Sequence, residues 1–254
     1  MKNNKLFNRI TEISSTGIIL ALLIILILGG LLSKAPTAVT AAPQGATITY
    51  NYTETASTRS ADSHTAAGGS FTTLILNVTS QTSKWKAYVG NVTGKLTLDN
   101  SNNKTIYDWA LTNVQGEVYV SRNNSVNFTS LACANGGNIS AEETFLNINS
   151  TSDDSINKTF LQKVHKSFVI GGTGTIQNSS CYAIATYVDD ASQAAAENAT
   201  FQEILLSDGL NLVFVTLLEN DQLGFDIGLY DFQIIVPDDP TETSTTYYFY
   251  AELG

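Results

Sequence analysis

The sequence predicts a mainly β protein: a β-sandwich ectodomain with a short helical insertion, preceded by one N-terminal transmembrane helix. Three observations predict it. From Phe71 onward, apolar and polar residues alternate with the two-residue period of a strand, in runs bounded by Gly, Asn, Asp and Pro. Between Ala141 and Lys166 the spacing turns helical, with Ile156, Phe160, Leu161 and Val164 on one stripe. From Ile13 to Leu32 no residue is charged. So many apolar strands call for two packed layers, because a lone sheet leaves one face in water.

Residues 1–12 form a basic stub in which Lys2, Lys5 and Arg9 are opposed only by Glu12. Residues 13–32 follow as a transmembrane anchor or signal segment. At about 1.5 Å per residue their length matches a bilayer core of roughly 30 Å. The flanking charges put the N-terminus in the cytoplasm and the rest of the chain outside. Two readings stay open: an uncleaved single-pass anchor, or a signal peptide cut near Val39–Ala41 that releases a secreted protein. Residues 33–45, with Pro36 and Pro43, make an Ala/Pro/Thr spacer, and residues 46–254 make the extracellular β-rich domain.

Within that domain Ala46–Tyr52 and Phe71–Val78 read as strands, joined by a small, polar loop around Ser57–Ser70. Trp85–Leu98 and Thr105–Leu111 read as two arms of a hairpin around the Asp/Asn-rich turn Asp99–Lys104. Gly116–Arg122 and Ser125–Leu131 are further strands. One or two short helices follow in Ala141–Lys166, with Asp153 or Asp154 as a cap. Ala194–Glu197 reads as a helical turn. Phe201–Leu206, Leu210–Leu218, Leu229–Val236 and Thr246–Leu253 complete the strands, Pro237 ending the third of these.

Charged residues are only 14% of the chain, and the net charge is −10. No basic patch lies beyond the first nine residues, which excludes a phosphate-backbone partner, so no nucleic acid is expected. Ser, Thr and Asn supply the polarity instead. The sequon N-x-[ST] occurs eleven times, at Asn51, Asn77, Asn91, Asn103, Asn123, Asn127, Asn138, Asn149, Asn157, Asn178 and Asn198. Chance placement among the asparagines beyond residue 32 gives about four. The excess, on the side expected to lie outside, points to N-linked glycans and to solvent-facing positions. Sequons stop at Asn198, leaving the last strands bare and open to self-association through the C-terminal strands.

Cys133 and Cys181 match no zinc spacing. In an exported chain they form one disulfide, the alternative being two unpaired thiols. Trp85, Tyr88 and Trp109 form either a packed aromatic core or a platform for stacking on sugar rings.

The stretch WKAYVGNVTG at Trp85–Gly94, the LTLDNSNNKTIYDW that follows, the later GEVYVS and the run GFDIGLYDFQIIVP resemble a group of archaeal cell-surface proteins of unknown function. The resemblance implies an archaeal exterior location and carries over no catalytic residue.

No catalytic or cofactor constellation is present. His64 and His165 stand alone, and there is no metalloprotease, nucleophile-elbow, phosphate-loop or dinucleotide motif. The pairs Asp153–Asp154, Asp189–Asp190 and Asp238–Asp239, with Glu219–Asp221, offer loop carboxylates that suit surface Ca²⁺. Asp99-x-Ser101-x-Asn103 starts like a calcium loop but lacks its glycine and its terminal glutamate. The expectation is a non-catalytic cell-surface glycoprotein with a structural or adhesive role, assembling into a coat or filament. The alternatives are an extracellular glycan- or partner-binding module and an extracellular hydrolase using the Asp pairs.

Overall fold

The structure, a computed structural model, describes residues 42–241 and 244–254. The basic stub, the apolar segment 13–32 and most of the spacer lie outside the described residues. Among those described, no helix is long and apolar enough to cross a membrane.

The chain is mainly β, with antiparallel sheets and few helices. Its strands are β1 (Gln44–Gly45), β2 (Trp85–Gly90), β3 (Lys95–Asp99), β4 (Thr105–Ala110), β5 (Gly116–Ser121), β6 (Ala132–Cys133), β7 (Phe168–Ile170), β8 (Gly174–Ile176), β9 (Ala183–Ala185), β10 (Gln202–Ser207), β11 (Leu212–Leu217), β12 (Gln222–Leu223), β13 (Leu229–Tyr230), β14 (Phe232–Pro237) and β15 (Tyr248–Leu253). Helix α1 is Gly136–Phe145 and α2 is Ile156–Thr159. Among the described residues a seven-stranded sheet runs β1-β15-β5-β11-β10-β6, with β9 also pairing β10. The remaining strands pair in twos: β14 with β2, β3 with β4, β7 with β8 and β12 with β13.

β10 (QEILLS) and β11 (LVFVTL) are buried at every position, so they read as apolar runs rather than alternations. The turn between them is built by Asp208, whose Oδ1 accepts from the amides of Leu210 at 3.0 Å and Asn211 at 2.7 Å. Gly209 there takes a φ of +95°, open to glycine at little cost. One face of the large sheet packs Val118, Val120, Leu205 and Phe214 against Ile234 and Val236 of β14 and the half-buried Trp85 and Tyr88 of β2. The other face packs Tyr119, Ile204, Leu206, Val213 and Val215 against Phe168 and Ile170 of β7. Both faces are therefore covered.

β6 and β9 lie along the same edge of β10, opposite Leu206–Ser207 and Gln202–Ile204 respectively. The Cys133–Cys181 disulfide joins the two segments that cover this edge. The expected bridge is therefore present.

Several expectations are corrected. Ala46–Tyr52 is not a strand: β1 ends at Gly45 and only the Ala46 amide continues the pairing, to the Phe249 carbonyl at 2.9 Å. The partner accounts for this, because β15 begins at Tyr248 and offers no edge farther on. Phe71–Val78 is also outside any strand. Trp85–Leu98 is two strands in different sheets, so Trp85 and Trp109 do not share a hairpin. Ser125–Leu131 is irregular with a short 3-10 turn at Phe128–Ser130, not a strand. Residues 194–196 form no helical turn, and a turn falls at 197–198 instead. The spacer's end, Gln44–Gly45, already belongs to the sheet.

The helical insertion starts earlier than expected. Asn135 caps α1 by accepting from the Gly137 and Asn138 amides, while the Asn138 side chain accepts from the Asn135 amide. Ser155, rather than either aspartate, precedes α2. Arg122 holds α1 to the end of β5 through a two-pronged pair with Glu142, at 2.6 and 2.8 Å.

Candidate functional site

The prominent surface feature is a long limb-like loop. Its root is the Ala46–Phe249 hydrogen bond, and it returns where the Thr82 hydroxyl donates to Asp154 at 2.8 Å. Residues 47–81 make no hydrogen bond to any described residue outside the segment. A structureless connection of this length is uncommon in a compact domain. Its two limbs keep strand alternation. Ile48, Tyr50 and Tyr52 share one parity, with Thr47, Thr49 and Asn51 on the other. Leu74, Leu76 and Val78 share one parity, with Thr73, Ile75 and Asn77 on the other. In the first limb the sequon asparagine opposes the apolar series; in the second, Asn77 opposes Leu74, Leu76 and Val78 but shares its parity with Phe71 and Ile75. The apolar residues lie in water: Tyr50 and Leu76 are each 81% exposed and Phe71 94%.

The β3–β4 hairpin adds a second apolar patch. Leu96 faces Trp109 and Leu98 faces Tyr107 across the strands, and all four are exposed. Tyr107 and Trp109 meet edge to face at 4.9 Å between ring centres. Lys95 and Asp108 pair on the opposite side at 2.5 Å. The Asp/Asn turn closes it as expected, with Asn103 at φ 56°.

The three candidate platform residues are not brought together. The Trp85 indole donates to the Asp154 carbonyl at 2.7 Å and lies 6.3 Å from Phe160. Tyr88 packs edge to face on Phe249 at 5.0 Å. Trp109 sits on the separate hairpin.

Of the sequon asparagines, Asn51, Asn77, Asn91, Asn103, Asn127, Asn149, Asn178 and Asn198 are exposed. Asn123, Asn138 and Asn157 are half-buried. In Asn157 the amide nitrogen, the atom a glycan would take, donates to Glu143 at 3.2 Å and to the Ser150 carbonyl at 3.1 Å. The Asn178 nitrogen donates to Glu197 at 2.6 Å.

Three of the paired aspartates, Asp154, Asp238 and Asp239, use their carboxylates in structural contacts. Asp154 pairs with Lys84 at 2.5 Å and Asp238 with Lys86 at 3.2 Å. The Lys84, Ser152 and Thr82 side chains hold the Asp154 carboxyl below its usual range. Asp189 and Asp190, both at positive φ, donate their amides to the carbonyls of Gly224 and Phe225. The Asp239 carboxylate accepts from Asn147 at 2.7 Å. Among the described residues no group of three or more His, Cys, Asp or Glu side chains is placed to hold a metal ion. His165 is buried beside the disulfide: Nε2 accepts from the Ser180 and Cys181 amides, and Nδ1 donates to the Lys166 carbonyl. It braces a turn, while His64 lies exposed on the long loop.

The sequence reading missed a buried acidic cluster. Glu117 of β5 and Glu252 of β15 are directly opposed across the pairing, and both are buried. The Tyr119 hydroxyl donates to Glu252 at 3.2 Å, and the Gly171 amide donates to both its oxygens. Glu117 lines a cleft of about 410 Å³ together with Lys166, Leu217 and Glu219. Burial first, and the Glu252 charge second, push Glu117 up to about 8, against a smaller opposing pull from Lys166. Lys166 is itself paired with Glu219 at 2.6 Å. These contacts tie β5 and β15 to the turn after β7, and the segment before β7 to the residues after β11. Ser167 also lines the cleft, beside the Lys166–Glu219 ion pair.

No family model, curated protein or solved structure shows detectable similarity to this chain.

Proposed function

We propose that this chain is a non-catalytic cell-surface glycoprotein with a structural or adhesive role. In this reading a β-sandwich ectodomain is held at the membrane by residues 13–32 and assembles with its neighbours into a coat or filament. The observation that carries the reading is the pairing of sugar sites with apolar strand patterns on an otherwise unpartnered loop. Asn51 stands opposite Ile48, Tyr50 and Tyr52, and Asn77 opposite Leu74, Leu76 and Val78, all of them in water. Patches of this size on a soluble surface mark interaction sites. The engagement of Asp154 by Lys84 and of Asp238 by Lys86 supports a non-catalytic role.

A second reading, a glycan- or partner-binding module, rests on the exposed Tyr107–Trp109 pair alone; Trp85 and Tyr88 are taken up by the core.

Gel filtration of the purified protein at high concentration, together with immunolabelling of whole cells, tests the reading. Concentration-dependent growth beyond a monomer and dense, ordered labelling are expected. A protein that stays monomeric, with sparse diffuse labelling, contradicts assembly.

A further inference from the structure

Resting on the assembly just proposed, we infer that the copies join by strand donation: the limb Phe71–Val78 of one copy adds to the open outer edge of β2 in a second copy.

The acceptor follows from the hydrogen-bond pattern of the β2–β14 pair. The Asp238 amide donates to the Lys84 carbonyl at 2.7 Å, with Val236 opposite Lys86 and Ile234 opposite Tyr88. Antiparallel pairing alternates, so the amides and carbonyls of Trp85, Ala87 and Val89 point away from β14. They make no backbone hydrogen bond to any described residue. Ala87 and Val89 are exposed. The opposite edge of the pair is closed. The outward Ile235 amide is taken by Glu203 at 2.9 Å, and the outward Pro237 has no N–H to offer. Among the described residues one six-residue edge is thus left unprotected, in the layer that has two strands against the seven of its neighbour.

The donor is the limb itself. Phe71–Val78 has the length of a strand and the alternation of one, and it holds no charge. Added to an edge, it turns Leu74, Leu76 and Val78 to one face and Phe71, Ile75 and the sequon residue Asn77 to the other. Sugar on Asn77 and burial of the leucines are then compatible.

Reach and exposed apolar surface favour a second copy as the occupant. The stretch from Ala46 to Thr82 is anchored at both ends, and each half extends on the order of 55 Å at ~3.3 Å per residue. A body of this size has a radius of gyration of about 16 Å. The loop therefore reaches well beyond its own domain. Leu74, Leu76 and Val78 are 56%, 81% and 78% exposed, so the donated limb carries apolar surface that a partner would remove from water. A limb folded back on its own β2 would have to turn within residues 79–81, ahead of the Thr82 and Lys84 side chains held to Asp154, and hydrogen exchange on a monomer distinguishes that closure from donation. Donor and acceptor are different surfaces, so the contact is head to tail and extends into chains.

A complementation experiment tests this on the full chain in detergent micelles, read by native mass spectrometry and by cross-linking. One variant, L74K with L76K, disables the donor but keeps β2. The other, A87P, removes an outward N–H of β2 but keeps the limb; V89P is its alternative at the same edge. Retention of the Cys133–Cys181 bond and of the wild-type far-UV circular dichroism certifies each fold. The wild type is expected to form chains, and each variant alone a monomer. An equimolar mixture is expected to form a dimer, because one good donor meets one good edge. A mixture that stays monomeric overturns the inference, as do variants that assemble like the wild type. A monomeric wild type with residues 71–78 protected from hydrogen exchange overturns it too, since the limb then closes on its own domain. Glycopeptide analysis of the same material separates the two claims: sugar present without complementation leaves the surface-glycoprotein reading standing and removes strand donation.

Discussion

The carboxyl group of Glu203, in the interior of β10, accepts a hydrogen bond from the Ile235 amide of β14 at 2.9 Å. A side chain of the large sheet thereby closes the backbone edge of the small one. Glu203 is fully buried, and burial raises its carboxyl well above the ordinary value, so it serves as a neutral group. Glu203→Gln keeps an acceptor for Ile235 and is expected to change stability little. Glu203→Leu strands a buried amide and is expected to cost about 1–3 kcal/mol. Urea unfolding of the two variants checks the contrast.

Glu117, opposed to Glu252 across the β5–β15 pairing, sets a pH dependence. Glu117 titrates near 4.5 when unfolded and at about 8 in the fold. The folded state therefore holds its proton more tightly. The associated stability is full below pH 4.5 and is lost as pH rises through 8. Glu203 contributes with the same sign. The lowered carboxyls of Asp154 and Asp208 act oppositely and withdraw stability only in acid. Thermal unfolding should show a maximum in mildly acidic solution. Glu117→Gln should flatten the fall between pH 5 and 8, recovering on the order of 2–4 kcal/mol at the alkaline end. A variant with the wild-type pH profile would show that this carboxyl stays charged.

The Cys133–Cys181 bond closes a loop with a sequence separation of 48 residues. Replacing both cysteines by serine is expected to cost about 2–4 kcal/mol, mainly by freeing the unfolded chain. β6 and β9 should lose amide protection first, because each is short and both depend on the β10 edge. Hydrogen exchange read by mass spectrometry checks the order of loss.

Trp85 and Trp109 should behave differently in solution. Trp85 is hydrogen-bonded and half-buried, whereas Trp109 is half-exposed on the hairpin. In the variant W85F the remaining emission should be red-shifted and strongly quenched by acrylamide. In W109F it should be bluer and protected. Equal quenching of both would mean that the hairpin is covered.

Much of the architecture was legible because strand periodicity and turn chemistry agree. The Asp99–Lys104 turn, β5, β10, β11 and β15 fall where alternation or apolar runs place them. The two limbs carry the same alternation yet remain unpaired, because period records which faces match a strand and not whether an edge is available. The start of α1 was hidden, since Gly136-Gly137-Asn138 has poor helix propensity and is held by a reciprocal cap. The buried acids were missed for a related reason. Glu117, Glu203 and Glu252 stand inside otherwise apolar or aromatic strands, a pattern that reads as an outward face until the second layer is placed. The sequons fared differently. Composition located them, but only the fold shows that the Asn157 nitrogen is engaged by Glu143 and Ser150.

Glycopeptide and intact-mass spectrometry of the protein isolated from cell envelopes tests the central claim most directly. The account predicts sugar on the exposed sequons, Asn51, Asn77, Asn91 and Asn103 among them, and Asn157 bare. It also predicts retention of Gly17–Leu32 in an anchored form. Protein carrying no glycan at any of the eleven sites would contradict it.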